Sequence, residues 1–160
     1  MIQVKEGTEG CVTHKALSVK QPYASLLVEP AYRQEGQEYA RKSIEVRSQN
    51  IHYRGDVVIC STSRPALEGL MTSCCLGIVE LYGVKPLSEF TDDDWRHTCI
   101  EPAKRPKEGY GWLMRNPRRV IEFPVKGQLG LWNLHHIGEL IEYPRIVRLD
   151  DRAWENIKPK

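Results

Sequence analysis

The chain has no long hydrophobic run. Its hydrophobic residues make up 41% of 160, yet the longest apolar stretches fall far short of the roughly 20 residues that a bilayer-spanning helix needs. No membrane partner is therefore expected. The first residues, Met1 to Glu6, lack the apolar stretch of a secretory leader, which makes cytoplasmic residence the expectation. A disulfide framework is missing too. The five cysteines are odd in number, Cys74 and Cys75 are adjacent, and no Cys-x-x-Cys occurs. Cys60, Cys74 and Cys75 suit small core or strand positions instead. Cys11 and His14 have a Cys-x-x-His spacing that His135 and His136 could complete, but a closed zinc site usually shows paired ligand spacings. No metal and no other cofactor is expected. Repeats and low-complexity runs are absent. One globular domain with a sizeable core fits this length.

An excess of one charge sign is also missing, since the net charge is only +2. Its distribution is more telling. Between Lys104 and Arg119 stand six basic residues against the single acid Glu108, with Tyr110 and Trp112 interleaved. Basic charge beside aromatic faces suits phosphate contact and base stacking, and Arg115, Arg118 and Arg119 are the candidates for general phosphate attraction. The plainer expectation for Trp112 is a core position, because large aromatics on strands usually pack inward.

The densest cluster of chemistry is Ala40-Arg41-Lys42-Ser43-Ile44-Glu45-Val46-Arg47. From Ser43 to Arg47 polar and apolar residues alternate, which predicts a half-buried strand. Glu45 and Arg47 then share one face, with Ile44 and Val46 toward a core. Lys42 joins them only if a turn or bulge re-aims it. Three converging charged groups suit an anionic or multiply hydrogen-bonding ligand. The same segment also fits a solvated strand face carrying a cross-strand ion pair.

Upstream lies Ala16-Leu17-Ser18-Val19-Lys20-Gln21-Pro22-Tyr23-Ala24-Ser25-Leu26-Leu27. Downstream lie Tyr110-Gly111-Trp112-Leu113, Asn116-Pro117 and Lys126-Gly127-Gln128-Leu129-Gly130-Leu131-Trp132. In this order, and around Lys-x-x-Glu-x-Arg, these segments resemble the ASCH domain family over about residues 16–134. The family's signature is Gly-x-Lys-x-x-Glu-x-Arg after a Gln-Pro-aromatic-Ala helix start. Two departures stand out. Ala40 replaces the motif glycine, and an extra stretch from Pro30 to Tyr39 separates helix from motif. The resemblance implies an α+β fold, a PUA-like mixed β-barrel of about five to seven strands with a few short helices. It also implies binding of nucleic acid, RNA above all, or of a modified nucleoside, with Lys42, Glu45, Arg47, Gln21 and Tyr23 at the site.

Lys42 can meet phosphate as a mobile point charge, and Arg47 can grip phosphate or a base edge bidentately. Glu45 can orient Arg47 or accept from an exocyclic amine. The alternative is an RNA-directed hydrolase, a ribonuclease or an amidohydrolase acting on a modified cytidine, with Lys42 and Glu45 as acid and base and His97 or Glu101 as distant candidates. In the hydrolase-like relatives a threonine hydroxyl takes the place of Glu45. Ser43 lies roughly 7 Å from Glu45 along a regular strand, too far to replace that hydroxyl. Binding without turnover is the favoured expectation.

Along the chain, residues 1–13 are expected as a flexible arm, 14–134 as the domain and 135–160 as an extension packed on it and frayed at its end. Strands are expected at Ala16–Val19, Lys42–Arg47, Val57–Ser61, Cys74–Tyr82 with a bulge at Gly77, Tyr110–Met114, Val120–Phe123 and Leu129–Leu134. Pro22 suits the first position of a helix that Pro30 ends. Pro30–Arg41 reads as a loop or an irregular helix. Asn116-Pro117 is a turn signal. Ser88 or Thr91 caps a second helix whose opening Asp92, Asp93 and Asp94 complement its dipole. Ile137–Ile141 and Pro144–Leu149 could add an edge strand.

Overall fold

The computed structural model describes residues 3–4, 11–137 and 140–142. Strands take up 48% against 13% in helices, which makes this a strand-dominated α+β chain. Its main body is a seven-stranded mixed sheet that curls into a half-barrel. Strand β1 (Gln3–Val4) pairs antiparallel with the start of β2 (Cys11–Val19). The later half of β2 runs parallel to β6 (Gly55–Ser61), and β9 (Leu131–Ile137) covers β2 from the other side over Cys11 to Leu17. Strand β7 (Cys74–Pro86) follows β6, then β8 (Tyr110–Pro124), then β5 (Ile44–Arg47) at the far edge. Strands therefore already begin within the stretch expected as an arm, and β9 runs past residue 134.

Two apolar clusters explain why β6 carries a continuous hydrophobic run from Val57 to Cys60. On β6, Val57 and Ile59 face one cluster while Val58 and Cys60 face the other. Strand alternation sends successive side chains to opposite faces, so a strand buried on both sides must be apolar throughout. Helix α1 (Tyr23–Val28) lays Ala24, Leu27 and Val28 on the first cluster, together with Trp112 and Met114. Trp112 is a core residue, and its indole N–H donates to the carbonyl of Gln49 at 2.9 Å. Trp132 and Leu134 of β9 close the second cluster.

Three expectations need correcting. Residues 30–40 are neither loop nor helix but a hairpin, β3 (Pro30–Gln34) with β4 (Gln37–Ala40). Glu35 and Gly36 both have positive φ, 51° and 78°, the geometry a two-residue hairpin turn demands. Polarity disguised the strands, because β3 is largely exposed and Tyr32 and Tyr39 stack on each other rather than on the core. Asn116-Pro117 does not split two strands either. Strand β8 runs through it with a bulge, since two of its residues stand opposite one between the pairs Ile78–Arg118 and Glu80–Arg115. Asn116 takes φ 52° there, and its side chain holds Glu38, Gln37 and Glu80. Proline is tolerated in a strand at such a site. Finally, Pro22 stands at the N-cap of α1 rather than opening it.

Thr91 caps helix α2 (Asp92–Arg96) through a reciprocal box with Asp94. Its hydroxyl accepts from the Asp94 N–H, and the Asp94 carboxylate accepts from the Thr91 N–H and from Lys85. Those bonds offset burial and hold the Asp94 carboxyl below its ordinary pKa. Glu142 bridges to Val120, so a short paired segment does follow β9. Pro144–Leu149 and the end of the chain lie outside the described residues.

The Gly77 bulge is a point of close approach. A Cβ there would lie 2.5 Å from the Arg118 carbonyl oxygen and 2.8 Å from the Val28 side chain, which is itself buried. Gly77→Ala is expected to cost about 1–3 kcal/mol by overpacking. Urea unfolding should show a lower midpoint at unchanged slope. A wild-type midpoint would mean that α1 yields freely at this contact.

Candidate functional site

Strand β5 is short because its N-terminal side is pinned by three different elements. The Lys42 N–H donates to the Leu26 carbonyl of α1 at 3.2 Å. The N–H groups of Ser43 and Ile44 both donate to the His97 carbonyl just past α2, and the Ser43 carbonyl accepts from Met114 of β8. Regular pairing begins only at Ile44, opposite Leu113. Lys42 thus stands in a bent link before the strand, and the alternation rule does not govern where it points.

It points at Glu45. The Lys42 ammonium lies 3.3 Å from Glu45 Oε1 and 2.6 Å from the Thr98 carbonyl, and it faces the Tyr23 ring at 4.9 Å. These contacts answer the three donors of an ammonium that is only 1% exposed. Glu45 Oε2 accepts from Nε of Arg47 at 2.9 Å and pairs ionically with its Nη2, also at 2.9 Å. Nη2 of Arg47 also donates to the Ser18 carbonyl of β2 at 3.1 Å. Among the described residues, Arg47 Nη1 has no hydrogen-bond partner. One buried carboxylate therefore holds two cations, and a buried pair tolerates the loss of neither partner.

Lys42, Glu45 and Arg47 line one cleft of about 670 Å³. Tyr23 lines it as well, with its hydroxyl pushed above its ordinary pKa by burial first and then by the charges of Glu101, Cys99 and Glu45. The phenol stays protonated at neutral pH and can donate to a ligand. Lys20 and Lys126 stand at the walls, together with the hydroxyls of Ser18, Ser61, Thr62, Ser63 and Ser73. Four cationic side chains thus share the cleft with one carboxylate. The turn from Lys126 to Gly130 completes it, and Leu129 there is 98% exposed.

Four sequence candidates are not brought to the cleft. Gln21 is buried as a structural link: its Oε1 accepts from the Ser25 N–H, and its Nε2 donates to Ser25 Oγ and the Met71 carbonyl. Arg115 makes a two-bond pair with Glu80, whose carboxyl those bonds hold below its ordinary pKa. Arg118 pairs with Asp56 at 2.9 Å, and Arg119 with Glu122 at 2.8 Å and with Glu29. Acids from β6, β7, β8 and the end of α1 thus hold all three arginines, so the later half of the basic run is not a bare basic surface. Of the distant pair, His97 contacts Tyr32 and Asp93, and neither it nor the exposed Glu101 lines the cleft.

Sequence reasoning missed Thr98, whose carbonyl anchors Lys42. Its hydroxyl donates to the Trp95 carbonyl and accepts from the Ile100 N–H, which fixes that carbonyl in place. A carbonyl acceptor has no side-chain signature, so no sequence signal marks it. The serines of the cleft wall were missed as well, being scattered over the ends of β2 and β6 and the connection from β6 to β7.

Among the described residues, no group of three potential ligands is placed to hold a metal ion. The side chains of Cys11 and His136 lie outside the described residues, and His135 hydrogen-bonds to Thr13. No described helix is long and apolar enough to cross a membrane. No family model matches the chain, and no curated protein matches it.

Glu45→Ala is expected to destabilise the fold by about 3–5 kcal/mol, because it leaves the Lys42 ammonium buried without its counter-charge. Adding Lys42→Met should recover part of that loss. Chemical unfolding of the two single variants and the double variant measures the coupling. Strictly additive losses would show that Lys42 and Glu45 do not act as a pair.

Proposed function

We propose that this protein is an ASCH-like, PUA-type domain that binds nucleic acid, RNA above all, or a modified nucleotide, in the cleft over Lys42, Glu45 and Arg47. One observation carries this reading: four cations meet a single carboxylate that is already engaged by two of them. The surplus charge favours an anionic ligand. Arg47 is oriented by Glu45 and keeps Nη1 for a phosphate oxygen or a base edge. The hydroxyls of the walls suit sugar oxygens, and the Tyr23 ring and Leu129 supply apolar surface for a base. Glu45 serves as the strut that aims Arg47, which needs no turnover.

Hydrolysis of an acylated cytidine is the second reading, favoured by serine and threonine hydroxyls in the same cleft as Lys42. Against it, Lys42 is tied to Thr98 and Glu45, and both oxygens of Glu45 are engaged. An acyl-transfer nucleophile needs a base within reach that is not otherwise committed. Purified protein should therefore leave an acetylated cytidine intact, with mass detection as the readout. Robust turnover that vanishes in Lys42→Ala would overthrow the binding-module reading.

RNA binding should weaken steeply with salt, as phosphate contact releases counterions. Arg47→Ala should cost about 1–3 kcal/mol of affinity if the guanidinium meets a base edge bidentately. Fluorescence anisotropy at several salt concentrations tests both expectations. Equal binding by wild type and the Lys42→Ala, Arg47→Ala double variant would refute this site.

A further inference from the structure

The cleft does not stop at its own walls. A second recess of about 660 Å³ adjoins it, lined by Lys20, Ser63, Arg64, Pro65 and Ala66. Lys20 and Ser63 line both cavities. Lys20 and Arg64 are exposed, and neither has a carboxylate partner among the described residues. Their isolation contrasts with Arg115, Arg118 and Arg119, each held by an acid. The loop that carries Arg64 is also held in shape. The Thr62 N–H donates to the Val19 carbonyl, the Thr62 hydroxyl donates to the Arg64 carbonyl at 2.8 Å, and the Ser73 N–H donates to the Thr62 carbonyl.

We infer that the ligand is a single strand of RNA longer than one nucleotide: one unit sits over Lys42 and Arg47, and an adjoining phosphate lies between Lys20 and Arg64. The inference rests on the nucleotide reading of the cleft and deepens it. A free nucleoside gains nothing from a cation outside the cleft, whereas a strand carries a phosphate to every neighbouring position. A charged groove leading away from a site with apolar faces is the arrangement that single-strand binders use. The hydroxyl of Ser63, at the junction, can meet a ribose 2′-hydroxyl as donor or acceptor, which favours RNA over DNA.

Binding of a mixture of the four 5′-mononucleotides, of a short mixed-sequence RNA and of its DNA counterpart should be measured on wild type, Arg64→Glu and Arg64→Lys. Circular dichroism melting checks that each variant is folded. The RNA is expected to bind wild type more tightly than the mononucleotides and than the DNA. Arg64→Glu should lower the ratio of RNA to mononucleotide affinity several-fold and reduce the salt slope by roughly 0.7 for the lost phosphate contact. Arg64→Lys should restore most of both. If mononucleotides bind but RNA binds no tighter, or if the ratio is the same in Arg64→Glu, the strand path is wrong while the nucleotide cleft stands. DNA binding as tight as RNA overturns the choice of RNA. Absence of binding by every probe overturns the cleft reading and this inference together.

Discussion

The Glu45 carboxylate is the group on which the site depends. Lys42 and Arg47 come from opposite ends of a six-residue segment, and only a shared acid holds their charges side by side. Through Lys42 the same acid reaches the Thr98 carbonyl and the Tyr23 ring, and through Arg47 it reaches Ser18 on β2. Helix α1, the link after α2, strand β5 and strand β2 thus meet over one carboxylate. A buried ammonium is costly to desolvate, and it is tolerated here because each of its donors has a partner.

The protein uses its cations in two ways. Arg115, Arg118 and Arg119 alternate with carboxylates across β7, β8 and their neighbours, and they stitch the sheet together. Lys20 and Lys126 line the cleft and Arg64 the adjoining recess, with no ion pair to any of the three among the described residues. The difference is positional. A strand interior brings a carboxylate within reach by register, whereas loops at the end of the half-barrel meet solvent. A ligand's phosphates compete poorly for a cation already paired and well for one that is not. Net charge alone conveys none of this.

The scaffold explains why such loops hold their shape. Strand β6 and the last residues of β2 are packed between the two clusters, and the strands end at the cleft in Val19 and Ser61. Bulges in β7 and β8 let the long strands curl. Gly127 passes so close to β2 that a Cβ would lie 2.5 Å from Ser18 Oγ, so the Lys126–Gly130 turn is drawn against the floor of the site. Rigid strands below and short hydrogen-bonded loops above suit a binding cleft.

Much of this was legible in the sequence. Apolar runs marked β6, β7 and the end of β2, the Gly77 bulge and the Thr91 cap had local signatures, and the spacing of Lys42, Glu45 and Arg47 singled out residues that converge on one cleft. Those features depend on neighbours a few residues away, where periodicity and capping chemistry act. The tertiary structure alone decided the rest. It made a hairpin of residues 30–40, because stacked tyrosines and a left-handed turn replaced core burial. It carried β8 through Asn116-Pro117, because Glu80 and Gln37 hold the Asn116 side chain. It paired Arg115 and Arg118 of β8 with acids distant in sequence, and it supplied the Thr98 carbonyl to Lys42. Coulomb and hydrogen-bond energies depend on separation in space, and a sequence records only separation along the chain.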